Sequence, residues 1–149
     1  MILPCTSLDQ DGWLPLRRAL WPDCPADEHL AEMRSFLLDP GKYAQFVAYD
    51  ADGRAAGFAE AALRTDYVNG TDSSPVAFLE GIYVVPGQRR KGWGRALVEA
   101  VTAWARASGC RELASDALLD NEASHRMHRA LGFEETERVV FFRRALPET

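Results

Sequence analysis

Val84-Val85-Pro86-Gly87-Gln88-Arg89-Arg90-Lys91-Gly92-Trp93-Gly94-Arg95-Ala96-Leu97 joins an apolar run to a helical stripe through a basic, glycine-containing loop. Within it, Arg89 to Gly94 reads Arg-x-x-Gly-x-Gly. Two glycines let the backbone come close to a ligand, the N–H groups of a helix N-terminus point outward, and the helix dipole adds partial positive charge there. Such a loop is an anion site. Arg89, Arg90, Lys91 and Arg95 crowd four cations into seven residues, more than one phosphate held by backbone requires, so a pyrophosphate with a further phosphate nearby is the better fit. A Gly-x-Gly alone is weak, and an ordinary basic strand-to-helix turn is the competing reading. The pattern is neither a Walker loop nor a dinucleotide fingerprint.

The segments on either side fix the loop's surroundings. Upstream, Val76 to Val85 is apolar except for Glu80 and Gly81 and reads as a central strand. Downstream, Gly94, Leu97, Val98, Val101, Trp104 and Ala105 form a helical stripe that ends at Gly109. Two apolar runs, 44–49 and 55–63, flank Asp50-Ala51-Asp52-Gly53 and predict an antiparallel hairpin. Residues 65–75 are turn-rich around Asn69-Gly70. Near the start, Trp13, Leu16 and Leu20, then Leu30, Met33, Phe36 and Leu37, give two amphipathic helices separated by Pro22 to Pro25. Toward the end come a short strand candidate at 112–116 and a helical stripe of Ser124, Met127, His128 and Leu131 closed by Gly132. A β-rich run at 136–146 follows. The order predicts an α/β fold with a mixed sheet and helices on both faces, and no internal repeat.

A length of 149 residues with 47% hydrophobic content suits one domain spanning 1–149. The net charge of −5 argues against a general nucleic-acid partner. No apolar run approaches the ~20 residues that span a bilayer, and the N-terminus lacks a signal-peptide pattern, so a cytoplasmic protein without a membrane partner is expected. Cys5, Cys24 and Cys110 are an odd, widely spaced set, read as three buried reduced thiols. His125 and His128 lack the further ligands a metal site needs, so no metal is expected.

The loop, followed by Asn121 and by Ala130-Leu131-Gly132-Phe133, resembles the acetyl-CoA signature of the GCN5-related N-acetyltransferases. Further blocks extend the likeness along most of the chain: Leu20-Trp21-Pro22, Asp66-Tyr67-Val68-Asn69-Gly70, Phe78-Leu79-Glu80-Gly81-Ile82, Ala114-Ser115-Asp116 and Gly132-Phe133-Glu134-Glu135-Thr136-Glu137. They are similar to a chromosomal-type subgroup of aminoglycoside 6′-N-acetyltransferases. The resemblance implies the GCN5-related fold, with a central, mostly antiparallel mixed sheet, acetyl-CoA as co-substrate, a polycationic small-molecule amine as acceptor, antibiotic resistance as the outcome and a homodimer. Other acceptors, a polyamine or a basic peptide, fit an acidic cleft as well. A non-catalytic acetyl-CoA sensor is the alternative outside catalysis.

Residue by residue, the resemblance implies that backbone N–H groups of Ile82, Tyr83 and Val84 face the cofactor, that Gln88, Arg89, Arg90, Lys91, Gly92, Trp93, Gly94 and Arg95 seat its phosphates, and that Asn121 bonds its pantetheine arm. A helix N-cap competes for Asn121. Glu80, costly in an apolar strand without a partner or a task, is either an ion pair or the group that binds the acceptor ammonium and removes its proton. Gly81 fits a β-bulge beside it. Asp116 and Glu137 would add charge to the acceptor cleft, against a cap or turn role and a surface charge. Trp21 and Tyr67 would wall it, against ordinary packing. His128 stands where the superfamily usually has tyrosine; it is a candidate acid for the leaving thiolate or a packed core histidine.

Overall fold

Five strands follow one another in the sheet in chain order. The computed structural model describes residues 1–148, in which residues 1–116 form one compact unit and the residues from Ala117 onward another. In the first unit the strands are β1 (Ile2–Pro4), β2 (Tyr43–Tyr49), β3 (Ala55–Arg64), β4 (Val76–Val84) and β5 (Leu113–Ser115), ordered β1-β2-β3-β4-β5. The first three pairings are antiparallel and β4–β5 is parallel. That is the mixed, mostly antiparallel sheet expected. β1 is an addition: its three residues carry no period for sequence reasoning to find, and pairing with Phe46 to Ala48 makes them a strand.

Helices α1 (Trp13–Leu20) and α2 (Ala26–Leu38) cover one face of the sheet, where Trp13, Leu16 and Met33 pack with Val47 and Phe58. Helix α3 (Trp93–Ala107) covers the other, burying Leu97, Val98, Val101 and Ala105. β3 separates the layers and is buried from Ala56 to Ala62. Its alternation of alanines with Phe58 and Glu60 keeps one face small for α3 while the other carries the larger groups toward α1. In the 65–75 loop, Val68 is buried against Val76 and Phe78. Glu112 anchors the same loop by accepting from the Asp72 N–H at 2.9 Å and from the Ser73 hydroxyl.

The second unit contains α4 (Glu122–Ala130), closed by Leu131 and Gly132. The run at 136–146 is not a strand in the structure, contrary to the expectation from its Val139, Val140, Phe141 and Phe142. β propensity describes a side chain's fit to a pleated surface, and it makes a strand only where a neighbouring backbone supplies the ladder. Here Phe141 and Phe142 are 88% and 93% exposed.

Candidate active site

The β3–β4 ladder breaks at one place. Glu60 pairs with Gly81 and Ala61 pairs with Leu79, so Glu80 is the extra residue of a β-bulge. The bulge lies beside Gly81 as the sequence suggests, and it overturns the picture of Glu80 as a carboxylate buried in an apolar strand. An unpaired residue at a bulge turns out of the sheet, and Glu80 is exposed. It accepts a hydrogen bond from Arg64 Nη2 at 2.9 Å, with Arg64 lying 3.6 Å from the Phe78 ring. An exposed pair of this kind contributes about 0–1 kcal/mol, so another cation can displace the guanidinium.

Two clefts share Glu80. One, of about 690 Å³, runs past Leu20, Trp21, Pro22 and Tyr43 with Glu60 in its wall. The other, of about 400 Å³, is lined by Lys42, Arg64, Asp66 and Tyr67. Trp21 and Tyr67 therefore line two clefts that meet at Glu80. Trp21 meets Phe58 edge-on at 5.9 Å and fills the space beside Gly81, where a Cβ would come within 2.6 Å of the indole. Asp116 follows Ser115, which pairs with Leu79, so the parallel register brings Asp116, just past the end of β5, level with Glu80 in the middle of β4. It is exposed.

Beneath the larger cleft lies a polar network absent from the sequence reading. Arg17 and Glu60 are 1% and 3% exposed. Arg17 Nη1 reaches both Glu60 oxygens at 2.5 and 2.6 Å, and the Trp13 indole N–H donates to Glu60 Oε2 at 2.8 Å. Burial pushes the Glu60 carboxyl up from its ordinary value, while Arg17 and Trp13 pull it back. Removing one partner of such a pair costs about 3–5 kcal/mol. The signal was present, since Glu60 interrupts the run 55–63 as Glu80 interrupts 76–85.

The basic loop is built differently. Pro86–Gln88 form a single 3₁₀ turn, Arg90 has φ 64°, and Gly92, with φ 86°, caps α3 without a side chain. The first N–H groups of α3 have no partner within the helix. Gln88 holds the loop together: its Nε2 donates to Asp50 Oδ2 at 2.9 Å and its Oε1 accepts from Trp93 Nε1 at 3.3 Å and Lys91 Nζ at 3.4 Å. Arg89 Nε donates to the Val84 carbonyl at 2.9 Å, which makes Arg89 a tether as well as a cation. β5 pairs with β4 only along Ala77–Leu79, so on that side β4 has no strand partner from Glu80 through Ile82, Tyr83 and Val84 among the described residues. An open strand edge leading to an uncapped helix start rimmed by Arg90, Lys91 and Arg95 suits an extended, amide-containing ligand with phosphates at one end.

In the second unit Asn121 is the N-cap of α4, its Oδ1 accepting from the Ser124 N–H at 3.1 Å. His128 Nδ1 lies 2.7 Å from the Ser124 carbonyl and the ring meets Phe133 edge-on at 5.3 Å. A carbonyl only accepts, so Nδ1 carries the proton, and Nε2 can give one up only from the imidazolium form. The ring is partly exposed, not a packed core histidine. Glu137 is exposed, while Glu135 pairs with Arg138 and with Arg129 at 3.6 Å.

All three cysteines are free. Cys5 and Cys110 are buried as expected, but Cys24 is partly exposed at the rim of the larger cleft. Burial, then Glu60, pushes the Cys5 thiol up to about 12, and Cys24 is raised by desolvation and then by Glu32 and Glu28. Neither is primed as a nucleophile. Among the described residues no cluster of His, Cys, Asp and Glu is placed to hold a metal ion, and no helix is long and apolar enough to cross a membrane.

Residues 10–133 match the acetyltransferase (GNAT) family model. An aminoglycoside N(6′)-acetyltransferase type 1 from Serratia marcescens is 53% identical over 98% of this chain and 99% of its own length. The enzyme of that name from Stenotrophomonas maltophilia is 54% identical over 97% and 93%. Among solved structures, the aminoglycoside 6′-N-acetyltransferase AAC(6′)-Ih of Acinetobacter baumannii superposes with a TM-score of 0.92 at 49% identity, covering 99% of both chains. AAC(6′)-Iy, solved with the bisubstrate analogue CoA-S-monomethyl-acetylneamine, gives 0.90 at 49% identity over 98% of both.

Proposed function

The chain belongs to the acetyltransferase (GNAT) family, and on that premise we propose that it transfers the acetyl group of acetyl-CoA to the 6′-amine of aminoglycoside antibiotics, conferring resistance. The observation that carries the reading is near-half identity, over almost the whole length, to aminoglycoside N(6′)-acetyltransferases. The Glu80 bulge between two clefts supplies the chemistry. An acceptor ammonium replaces Arg64 at the Glu80 carboxylate, with Trp21 and Tyr67 as walls and Asp116 adding attraction for the other ammonium groups; Glu137 is assigned to the acceptor by the family resemblance alone. Acetyl-CoA, when bound, supplies the thioester. Gln88 to Arg95 hold its phosphates and the Ile82 to Val84 backbone aligns its arm, while Asn121 is assigned to that arm by the family resemblance alone.

The transfer is direct. Glu80 takes one proton from the ammonium, itself or through a water, the freed nitrogen attacks the thioester carbonyl carbon and releases a second proton to solvent, and the C–S bond breaks to leave the amide and the CoA thiolate. The thiolate then takes a proton from the His128 imidazolium or from solvent. The family match crosses residue 116, which supports reading 1–149 as one domain. Free thiols and the use of acetyl-CoA support a cytoplasmic location. The exposed Val139 to Phe142 run supports a homodimer in which a second copy covers it.

CoA release measured with kanamycin, tobramycin, spermidine and a basic peptide tests the reading. Turnover of the aminoglycosides is expected; activity on the peptide alone would overturn it, and cofactor binding without turnover of any amine would mark a sensor.

A further inference from the structure

The mechanism leaves unused a guanidinium that is almost wholly buried under the acceptor cleft. Besides Glu60, Arg17 reaches two residues of α2: its Nη2 pairs with Glu32, and its Nε donates to His29 Nδ1 at 3.1 Å. Because that nitrogen accepts, the His29 proton sits on Nε2, which donates to the Trp21 carbonyl at 3.2 Å. The guanidinium carbon also lies 5.0 Å from the Trp21 ring. Trp21 is thus held at its carbonyl through His29 and at its ring directly. On the other side, Glu60 pairs with Gly81 immediately before the ladder skips Glu80, and the Trp21 ring rests on Gly81.

We infer that Arg17 is a positioning residue for acetyl transfer: one buried guanidinium sets the Trp21 wall and the Glu80 bulge in fixed relation, so that an acceptor ring against Trp21 presents its amine to Glu80. This rests on the acceptor reading proposed above. Only a planar fork serves Glu60, Glu32 and His29 together; a lysine ammonium at the end of a flexible stem cannot reach all three. Mere stability does not call for the arrangement, since apolar side chains of similar volume usually fill such a site as well or better.

The test compares wild type with Arg17→Lys and with the double variant Arg17→Met plus Glu60→Gln, which leaves no buried charge unpaired should the single variant fold poorly. Kinetics with kanamycin and acetyl-CoA are measured, and the double variant is crystallised. The KM for kanamycin is expected to rise about tenfold or more and kcat to fall, with the KM for acetyl-CoA held within about twofold, because misplacing a reacting partner by about 1 Å is costly. The Trp21 ring should leave Gly81. An unchanged kanamycin KM, both KM values rising in parallel, or an unmoved ring would overturn the assignment. If wild-type protein acetylates no aminoglycoside, the functional reading fails, and the position of the ring still decides the role of Arg17.

Discussion

In the function proposed above, the loop at 86–95 and the cleft around Glu80 each hold a charged ligand, and they are built for it by opposite means. The loop uses contiguous residues, backbone N–H groups and exposed cations, with Gln88 tying it to Asp50. The cleft draws on positions 17, 21, 60 and 80, brought together by a sheet and two helices and fixed by a buried ion pair. A site made of main chain tolerates changes in its side chains one at a time. A site assembled over long separations depends on each contact that fixes its register.

Three substitutions probe that contrast. Glu80→Gln keeps the shape of the bulge and removes the proposed base, so kcat should fall by about 10²-fold while the KM for acetyl-CoA hardly moves; equal turnover would take Glu80 out of the chemistry. Gly81→Ala drives a methyl into the Trp21 indole, where a Cβ meets ring carbons at 2.6 Å. Overpacking of that kind costs about 1–3 kcal/mol, visible as a lowered Tm, and the KM for the acceptor should rise with it. A variant with wild-type Tm and acceptor KM would mean that the Trp21 wall is free to move. Asp50→Ala should be mildest, raising the KM for acetyl-CoA about threefold through loss of the Gln88 contact, together with the bonds that Asp50 accepts from the Asp52 and Arg54 N–H groups in the hairpin, and leaving the acceptor KM alone.

The pH behaviour of that last pair separates the two regions further. The Arg54 N–H, ahead of other contacts, holds the Asp50 carboxyl below its ordinary value of 3.8. Its contribution is therefore complete above that value and is lost only as pH falls through the lowered one. The ratio of acetyl-CoA KM between variant and wild type should accordingly stay flat from about pH 6 to about pH 9. A ratio that closes in this range would show that the tether is not the Asp50 carboxylate.

The same contrast explains what could be read from sequence. The loop, the α3 stripe and the 50–53 hairpin are local patterns, and the structure places them within a residue or two of the expected limits. Glu80 stood out as a charge in an apolar run, but its exposure depends on a ladder shift between β3 and β4 that no single strand encodes. Arg17 and His29 lie on α1 and α2 among other polar residues, and nothing in a helical period marks which of them will be buried against a carboxylate 43 residues away from Arg17. The strand expected at 136–146 failed for the reverse reason: its composition is right, and among the described residues no ladder forms on it.

The contact between Trp21 and Gly81 also bears on how this protein can evolve. Position 81 has no room for any side chain while the indole stays where it is, so a change there must be preceded by one at Trp21 or beneath it. Variants with a wider acceptor range should therefore arise first along the 17–21 segment, and a clinical or laboratory lineage that altered Gly81 first would be expected to lose fitness before gaining anything.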